Sequence, residues 1–377
     1  MNNRHFLWLA IALLMFPQIG QTLYSPALGD IGRVFQVGPQ AAAQTLSVYF
    51  LAFAVGVVVW GRLCDRIGRR PAMLAGLAIY AAATLFGLRV SSFNGLLVAQ
   101  VVAAFGAAVG SVVTQTVLRD RFKGAELAQV FSLVGIALAA SPALGLFSGA
   151  GLVQLFGYRG VLGTLLLLVT VLWLWSWYTL AETRPRPVRS VGLLETLGQM
   201  LRDPGIWRSA LWIASFNVAL FSYYSLGPFI FQRLGLAASW FGYSGALLAL
   251  GSGFGAWLNR YLLQAGFKPL QLIRLAAAIA LLGGVGVWSL QKSDAFVLPM
   301  LLVVLAFGLA IPNVLGSALA DYADRLGTAG ALLGLMYYLL IGAGLMLAGW
   351  FQALGETLIV CSAVALLLTI KPGKAIV

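Results

Sequence analysis

From Val161 to Ala181 the chain carries no acidic or basic side chain, and eleven other stretches of similar length come close to the same condition. One helical crossing of a bilayer needs about 20 consecutive, mostly apolar residues. Charges and Pro/Gly clusters therefore cut the sequence into twelve expected spans: 6–27, 41–62, 72–91, 95–118, 128–154, 161–181, 206–231, 237–258, 270–290, 295–319, 328–351 and 355–370. Runs such as Leu165–Leu180 lack the period-two alternation of a transmembrane barrel strand. The expected class is an all-α membrane protein with twelve transmembrane helices.

Composition removes the alternatives. Apolar residues make up 61% of the chain and charged residues 9%, against about 45–50% and about 25% in soluble domains. So few charges cannot cover a water-facing surface, which excludes a soluble enzyme and a disordered chain. A nucleic-acid binder is excluded despite the net charge of +13, because the positive charges follow the membrane topology. Cys64 and Cys361 are too few for a disulfide framework, and His5 is the single histidine, so no metal site and no cofactor are expected. The first apolar run continues through Ala27 with no A-x-A pattern, so it reads as a retained helix and not a cleaved leader.

An even number of crossings puts both termini on one face. With that face cytoplasmic, only Arg33, Arg89, Arg159, Arg233 and Lys292 fall outside, and the other 19 of the 24 Lys and Arg residues fall inside. This is the positive-inside bias, and it puts both termini of a multi-pass membrane protein in the cytoplasm. The longest polar stretch, 181–204, lies midway, and Leu193–Leu201 within it suits a short amphipathic surface helix. The expected division is an N-terminal six-helix bundle (1–181), a cytoplasmic linker (182–205) and a C-terminal six-helix bundle (206–377). Faint echoes join the halves: Tyr24-Ser25-Pro26 with Ser225-Leu226-Gly227-Pro228, and Gly68-Arg69-Arg70-Pro71 with Gly266-Phe267-Lys268-Pro269. Parallel six-helix halves with a solute site between them are a secondary-transporter architecture.

The segment Gly61-Arg62-Leu63-Cys64-Asp65-Arg66-Ile67-Gly68-Arg69-Arg70-Pro71 resembles the loop 2–3 signature of the major facilitator superfamily, G-x-L-x-D-R-x-G-R-R/K-x. The resemblance implies a conformational latch built from Gly61, Asp65, Arg66, Gly68, Arg69 and Arg70. Asp65 would face a helix N-terminus, where the dipole favours a carboxylate, and Arg69 would bridge to Asp120. A closer similarity is to the Bcr/CflA-type drug:proton antiporters, carried by Leu23-Tyr24-Ser25-Pro26-Ala27-Leu28, Leu46 to Ala54, Ser141-Pro142-Ala143-Leu144, Gly227-Pro228-Phe229 and Gly327-Thr328-Ala329. That similarity implies export of small molecules across a bacterial inner (cytoplasmic) membrane against proton influx. The sequence also departs from the pattern. Thr22 stands where the subfamily usually has Asp, Gln100 where it has Arg, and Gly145-Leu146-Phe147-Ser148-Gly149-Ala150 lacks the proline of the antiporter motif. An intramembrane acid and base are retained as partners, so Thr22 and Gln100 read as a paired neutral replacement.

No Asp, Glu, Lys or His falls in the middle of a span. Nucleophile–base and metal chemistry therefore have no support within the membrane, and enzymatic activity is not expected. A proton carrier needs a group that titrates in the working range. Asp30, about two turns beyond Thr22, is the nearest acid, and it reads as a loop carboxylate at the rim. By the superfamily's arrangement, cavity residues are expected at Gln18, Gln21, Thr22 and Tyr24 on helix one, Gln100 on four, Asn217, Tyr223 and Tyr224 on seven and Asn313 on ten, and Tyr49, Tyr337 and Tyr338 join them as rings lying deep in their spans. Uncharged amides in such helices either bond a neighbour or face a cavity. Trp173, Trp175, Trp177 and Tyr178 read as an interfacial belt. The expected function is efflux of small organic molecules by a monomer, with protons as the coupling ion. The alternative is a dedicated exporter or facilitator of one metabolite such as a siderophore, amino acid or nucleobase. A polytopic membrane enzyme is the remote third reading. The expected partners are the solute, protons and the lipid bilayer, with no nucleic acid.

Overall fold

A computed structural model describes residues 3–184 and 192–370. The charges expected inside at Arg186, Arg189, Lys371 and Lys374, the middle of the 182–205 linker and the last seven residues of the C-terminal half lie outside the described residues.

All regular structure among the described residues is helical. Helix α1 (Asn3–Tyr24) passes through a 3-10 turn (Ser25–Ala27) into the short α2 (Leu28–Val34). Then come α3 (Pro39–Ile67), α4 (Arg69–Arg89), α5 (Phe93–Arg121) and α6 (Gly124–Thr179). The amphipathic α7 (Leu193–Arg202) precedes α8 (Pro204–Arg233), α9 (Ala238–Gln264), α10 (Pro269–Leu290) and α11 (Val297–Ser317). After a 3-10 turn (Ala320–Arg325), α12 (Leu326–Phe351) and α13 (Leu354–Leu367) complete the fold.

Nine helical runs among the described residues are long and apolar enough to cross a membrane. One of them, Gln129–Thr179, has 51 residues. At 1.5 Å per residue it exceeds twice the roughly 30 Å hydrocarbon layer, so it crosses twice. With α9, whose Ser, Gly, Trp and Tyr dilute its hydropathy, and the shorter α13, the crossings number twelve. The spans expected at 128–154 and 161–181 are thus two helices, the two limbs of α6, joined by a tight turn rather than a longer loop. The turn is at Gly157, at φ 62°, ψ −166°, a region open essentially to glycine alone. Asp30 fixes it by accepting a hydrogen bond from the Tyr158 amide at 2.8 Å. A carboxylate read as a solvated rim group is therefore a cap on the second limb of α6.

Prolines in the first turn of α3, α8 and α10 start those helices where their missing N–H costs nothing. Ser92 accepts from Gly95 N–H, and Asp203 from Gly205 N–H at 2.7 Å, capping α5 and α8. Helices α1–α6 form one half and α8–α13 the other, in the pseudo-symmetric arrangement expected. With no water in hydrocarbon, polar groups need partners within the protein. Indole N–H groups bond carbonyls of neighbouring helices: Trp60 to Phe105 (2.8 Å), Trp173 to Leu74 (3.0 Å) and Trp212 to Ala365 (2.9 Å).

Arg69, Asp120, Arg121, Arg202 and Arg208 mark one end of the molecule, the basic end; Asp30, Gly157, Arg233 and Gln352 mark the opposite end. The halves meet along a seam. Between α3 and α12 it is long, running from Ala43 beside Gly349, past Leu51 and Gly342, to Val57 and Gly334. Between α6 and α9 the described contacts sit toward the opposite end, where Ala150 and Leu146 meet Gly242 and Gly245. There too Ser25 donates to the Tyr224 carbonyl and Gly29 lies beside Gln232.

Candidate functional site

Rings from both halves meet at the seam. Tyr49, Phe50 and Phe53 repeat at i, i+1 and i+4 along α3, and two of them reach the other half. Phe50 sits edge-on to Phe221 of α8 at 4.7 Å, and Phe53 edge-on to Tyr338 of α12 at 5.0 Å. Phe221 touches Tyr224 at 5.6 Å, Tyr338 touches Tyr337 at 4.5 Å, and Tyr49 stacks on Phe53 at 6.0 Å. Edge-to-face ring pairs carry about 0.5–1.5 kcal/mol beyond area burial. A small set of them can hold the seam and still release it. Tyr49 also donates to the Pro17 carbonyl at 3.3 Å. Phe50, Phe53 and Phe221 belong to this cluster although only polar-tipped positions were expected to line it.

The amides divide. Gln18, Asn217 and Tyr337 are half-buried near the middle of their helices, and Asn217 bonds its own helix at the Ile213 carbonyl (2.8 Å). Gln21 and Gln100 are buried, and Thr45 and Gln100 flank the Tyr24 hydroxyl. Thr22 is fully buried and faces elsewhere. Its hydroxyl donates to the Gln18 carbonyl at 2.9 Å, and Gly145 of α6 packs so closely that a Cβ there would lie 1.9 Å from Thr22 Oγ1 and 3.0 Å from the Leu23 amide. Thr22 thus lines no open space. Gly145→Ala is expected to destabilise the α1–α6 contact by about 1–3 kcal/mol. Thermal melts of purified protein should show the loss, and Thr22→Ala should recover part of it.

Two further cavity expectations are corrected by packing. Tyr223 lies inside the C-terminal half among Phe241 and Phe296, and donates to Ser244 Oγ. Asn313 is not at the seam. It donates to Asn259 Oδ1 at 2.6 Å and to the Leu309 carbonyl at 2.8 Å, tying α11 to α9. It also lines a separate cavity of about 1730 Å³ within the C-terminal half at the basic end, with Arg202, Arg208, Ser317 and Tyr322.

The Arg69 cluster occupies the basic end of the N-terminal half. Arg69, 3% exposed, bonds Asp120 Oδ2 through Nε (2.9 Å), Asp65 Oδ1 (3.0 Å) and the Cys64 carbonyl (3.1 Å). Thr183 also donates to Asp120 Oδ2. Asp65 is half exposed and pairs with Arg69 rather than capping a helix. The carboxylate seated on a helix start is Glu182, which accepts from the Arg69 and Arg70 amides at 2.9 and 3.2 Å, the first turn of α4. Arg70 donates to the Trp177 carbonyl (2.8 Å) and lies over its ring, so Trp177 serves this cluster as well as the interface. Arg66 is exposed, and Gly61 packs against Val112 of α5. These contacts join α3, α4, α5 and the end of α6, all in one half.

The sequence description of the Major Facilitator Superfamily matches residues 8–368. The chain belongs to that superfamily. The transporter is 32% identical to an uncharacterized transporter of Rickettsia bellii, over 89% of this chain and 87% of that one. It is 26% identical to multidrug resistance protein D of Escherichia coli, over 88% of this chain and 85% of that protein. Its fold is similar to that of the D-xylose–proton symporter crystal structure, with a TM-score of 0.81 at 14% identity, covering 98% of this chain and 97% of that one. The superfamily and these relatives are transporters and not enzymes. The resemblance to the Bcr/CflA-type drug antiporters accords with relatives of this kind. Every acid of the transporter whose position is described lies at or beyond a helix end, as Asp30, Asp65, Asp120, Glu182 and Glu356 illustrate.

Proposed function

We propose that the transporter exports small, uncharged organic molecules from the cytoplasm of a bacterial cell by alternating access. In this reading the basic end and both termini are cytoplasmic, and the halves 1–181 and 206–377 rock about the seam as a monomer. The observation that carries it is the ring cluster shared by α3, α8 and α12, which supplies faces for an apolar or aromatic solute and no charge to demand an opposite one. The half-buried Gln18 and Asn217 add neutral hydrogen-bonding groups near the same depth. The Arg69 cluster acts as the cytoplasmic latch, stiffening the end of the N-terminal half that must meet its partner when that side closes. A multidrug-resistance relative favours efflux over uptake, with protons moving inward as solute leaves.

A second reading, a dedicated exporter or facilitator for one metabolite, is favoured by Thr22 and Gln100 at the positions of the subfamily's acid and base. A buried group that titrates in the working range is the usual proton carrier. The test is uptake of chloramphenicol, an uncharged aromatic solute, into inverted vesicles with an imposed pH gradient. Proton antiport predicts uptake severalfold faster with the lumen acidic; flux indifferent to the gradient selects facilitation. No chloramphenicol flux under either condition, with flux of a single metabolite instead, selects the dedicated exporter.

A further inference from the structure

The two proline echoes, Pro26 and Pro228, occupy matching places in the halves, and their backbones respond differently. At Pro26, α1 breaks into the 3-10 turn Ser25–Ala27. At Pro228, α8 runs on without a break to Arg233. A proline inside a helix has no N–H for the carbonyl four residues earlier, which in α8 is that of Tyr224. That carbonyl is buried in the seam, and it accepts instead from the hydroxyl of Ser25, presented by the broken α1 of the other half. Ser25 is fully buried and Tyr224 3% exposed, so no solvent competes in this conformation. The Ser222 and Ser225 hydroxyls, on the same helix and also buried, do not take the place of Ser25.

We propose that Ser25 is a positioning residue for transport: its bond to the proline-orphaned Tyr224 carbonyl is a state-specific lock that holds the opposite end of the seam shut. The inference rests on the alternating-access reading. A backbone acceptor left unpaired in a buried site is costly. The bond is therefore worth most while the end is closed, and water replaces Ser25 when the halves part. Any interaction made in one state and not the other shifts their ratio by its differential free energy. The lock thus sets how often the outer end opens, without the Ser25 hydroxyl needing to touch solute.

The test uses spin labels at Gln40→Cys and Arg233→Cys, which flank the seam at that end, in the full chain carrying Cys64→Ser and Cys361→Ser, with distances read by pulsed electron resonance in nanodiscs. Ser25→Ala should raise the ratio of separated to closed populations roughly five- to tenfold. Pro228→Ala restores an N–H to Tyr224 within α8, so Ser25→Ala in that background should change the ratio less than twofold. Equal shifts in both backgrounds, or none with Pro228 present, would overturn the lock alone. A single distance that no variant moves would overturn alternating access with it. Melting temperatures of the variants report folding separately from the populations.

Discussion

Asp120→Ala is expected to cost about 3 kcal/mol of stability in the N-terminal half, and Asp65→Asn less than about 1 kcal/mol. Both carboxylates touch the same guanidinium, at 2.9 and 3.0 Å, so distance does not separate them. Burial does. Removing one partner of a buried pair leaves a charge that water cannot reach, at roughly 3–5 kcal/mol. Arg69 keeps the Cys64 carbonyl and Asp65 after the loss of Asp120, which places the cost at the lower bound. The side chain of Asp120 is 16% exposed and that of Asp65 52%. An exposed carboxylate gains little from its partner, since solvent already screens it. Denaturant titration or thermal melting of detergent-solubilised protein checks the pair. The same two variants separate stability from transport: if Asp65 contributes to the cytoplasmic latch, Asp65→Asn slows flux in a protein that melts normally.

The contrast between these two acids marks how far the sequence carries. Crossing helices are legible because hydrocarbon excludes charge, so even the weak segment that became α13 stands out between Glu356 and Lys371. Arg69 with Asp120 is legible because a spaced signature places them on adjoining loops. Glu182 is not. It lies 113 positions from Arg69 at the start of a polar stretch, and nothing local distinguishes a carboxylate that folds back onto α4 from one that stays in water. Tyr223 and Tyr224 show the limit differently. Consecutive residues on a helix point about 100° apart, so one ring enters its own half and the other enters the seam, while depth in the membrane is the same for both. Thr22 and Gln100 look like replacements for an acid and base that would attract one another. With no charge to draw them together, Thr22 bonds its own helix and Gln100 lies beside the Tyr24 hydroxyl.

Gly68→Ala is expected to damage the Arg69–Glu182 cluster more than removal of the Glu182 charge, although it changes one methyl group. Gly68 has φ 105° and ψ 159°, a conformation held at about 1–3 kcal/mol by any other residue. A Cβ there would also sit 2.4 Å from Glu182 Oε2, displacing the carboxylate from the Arg69 and Arg70 amides. Losing that cap adds about 1 kcal/mol, so the variant should lose roughly 2–4 kcal/mol. Glu182→Gln, which keeps an acceptor and leaves Gly68 relaxed, should lose less than half of that. Acid supplies an independent check. Burial pushes the Glu182 carboxyl up, but amides of Arg69, Arg184, Arg70 and Thr183 outweigh it and hold the group below its ordinary 4.5. A depressed carboxyl stabilises the fold at all pH values above its unfolded value, and the contribution disappears as pH falls through the folded one. Wild-type protein should therefore melt progressively earlier once the pH drops below about 4.5, and Glu182→Gln should flatten that part of the profile. A wild-type slope unchanged in Glu182→Gln would assign the acid sensitivity to other carboxylates and leave the Gly68 strain as the whole effect.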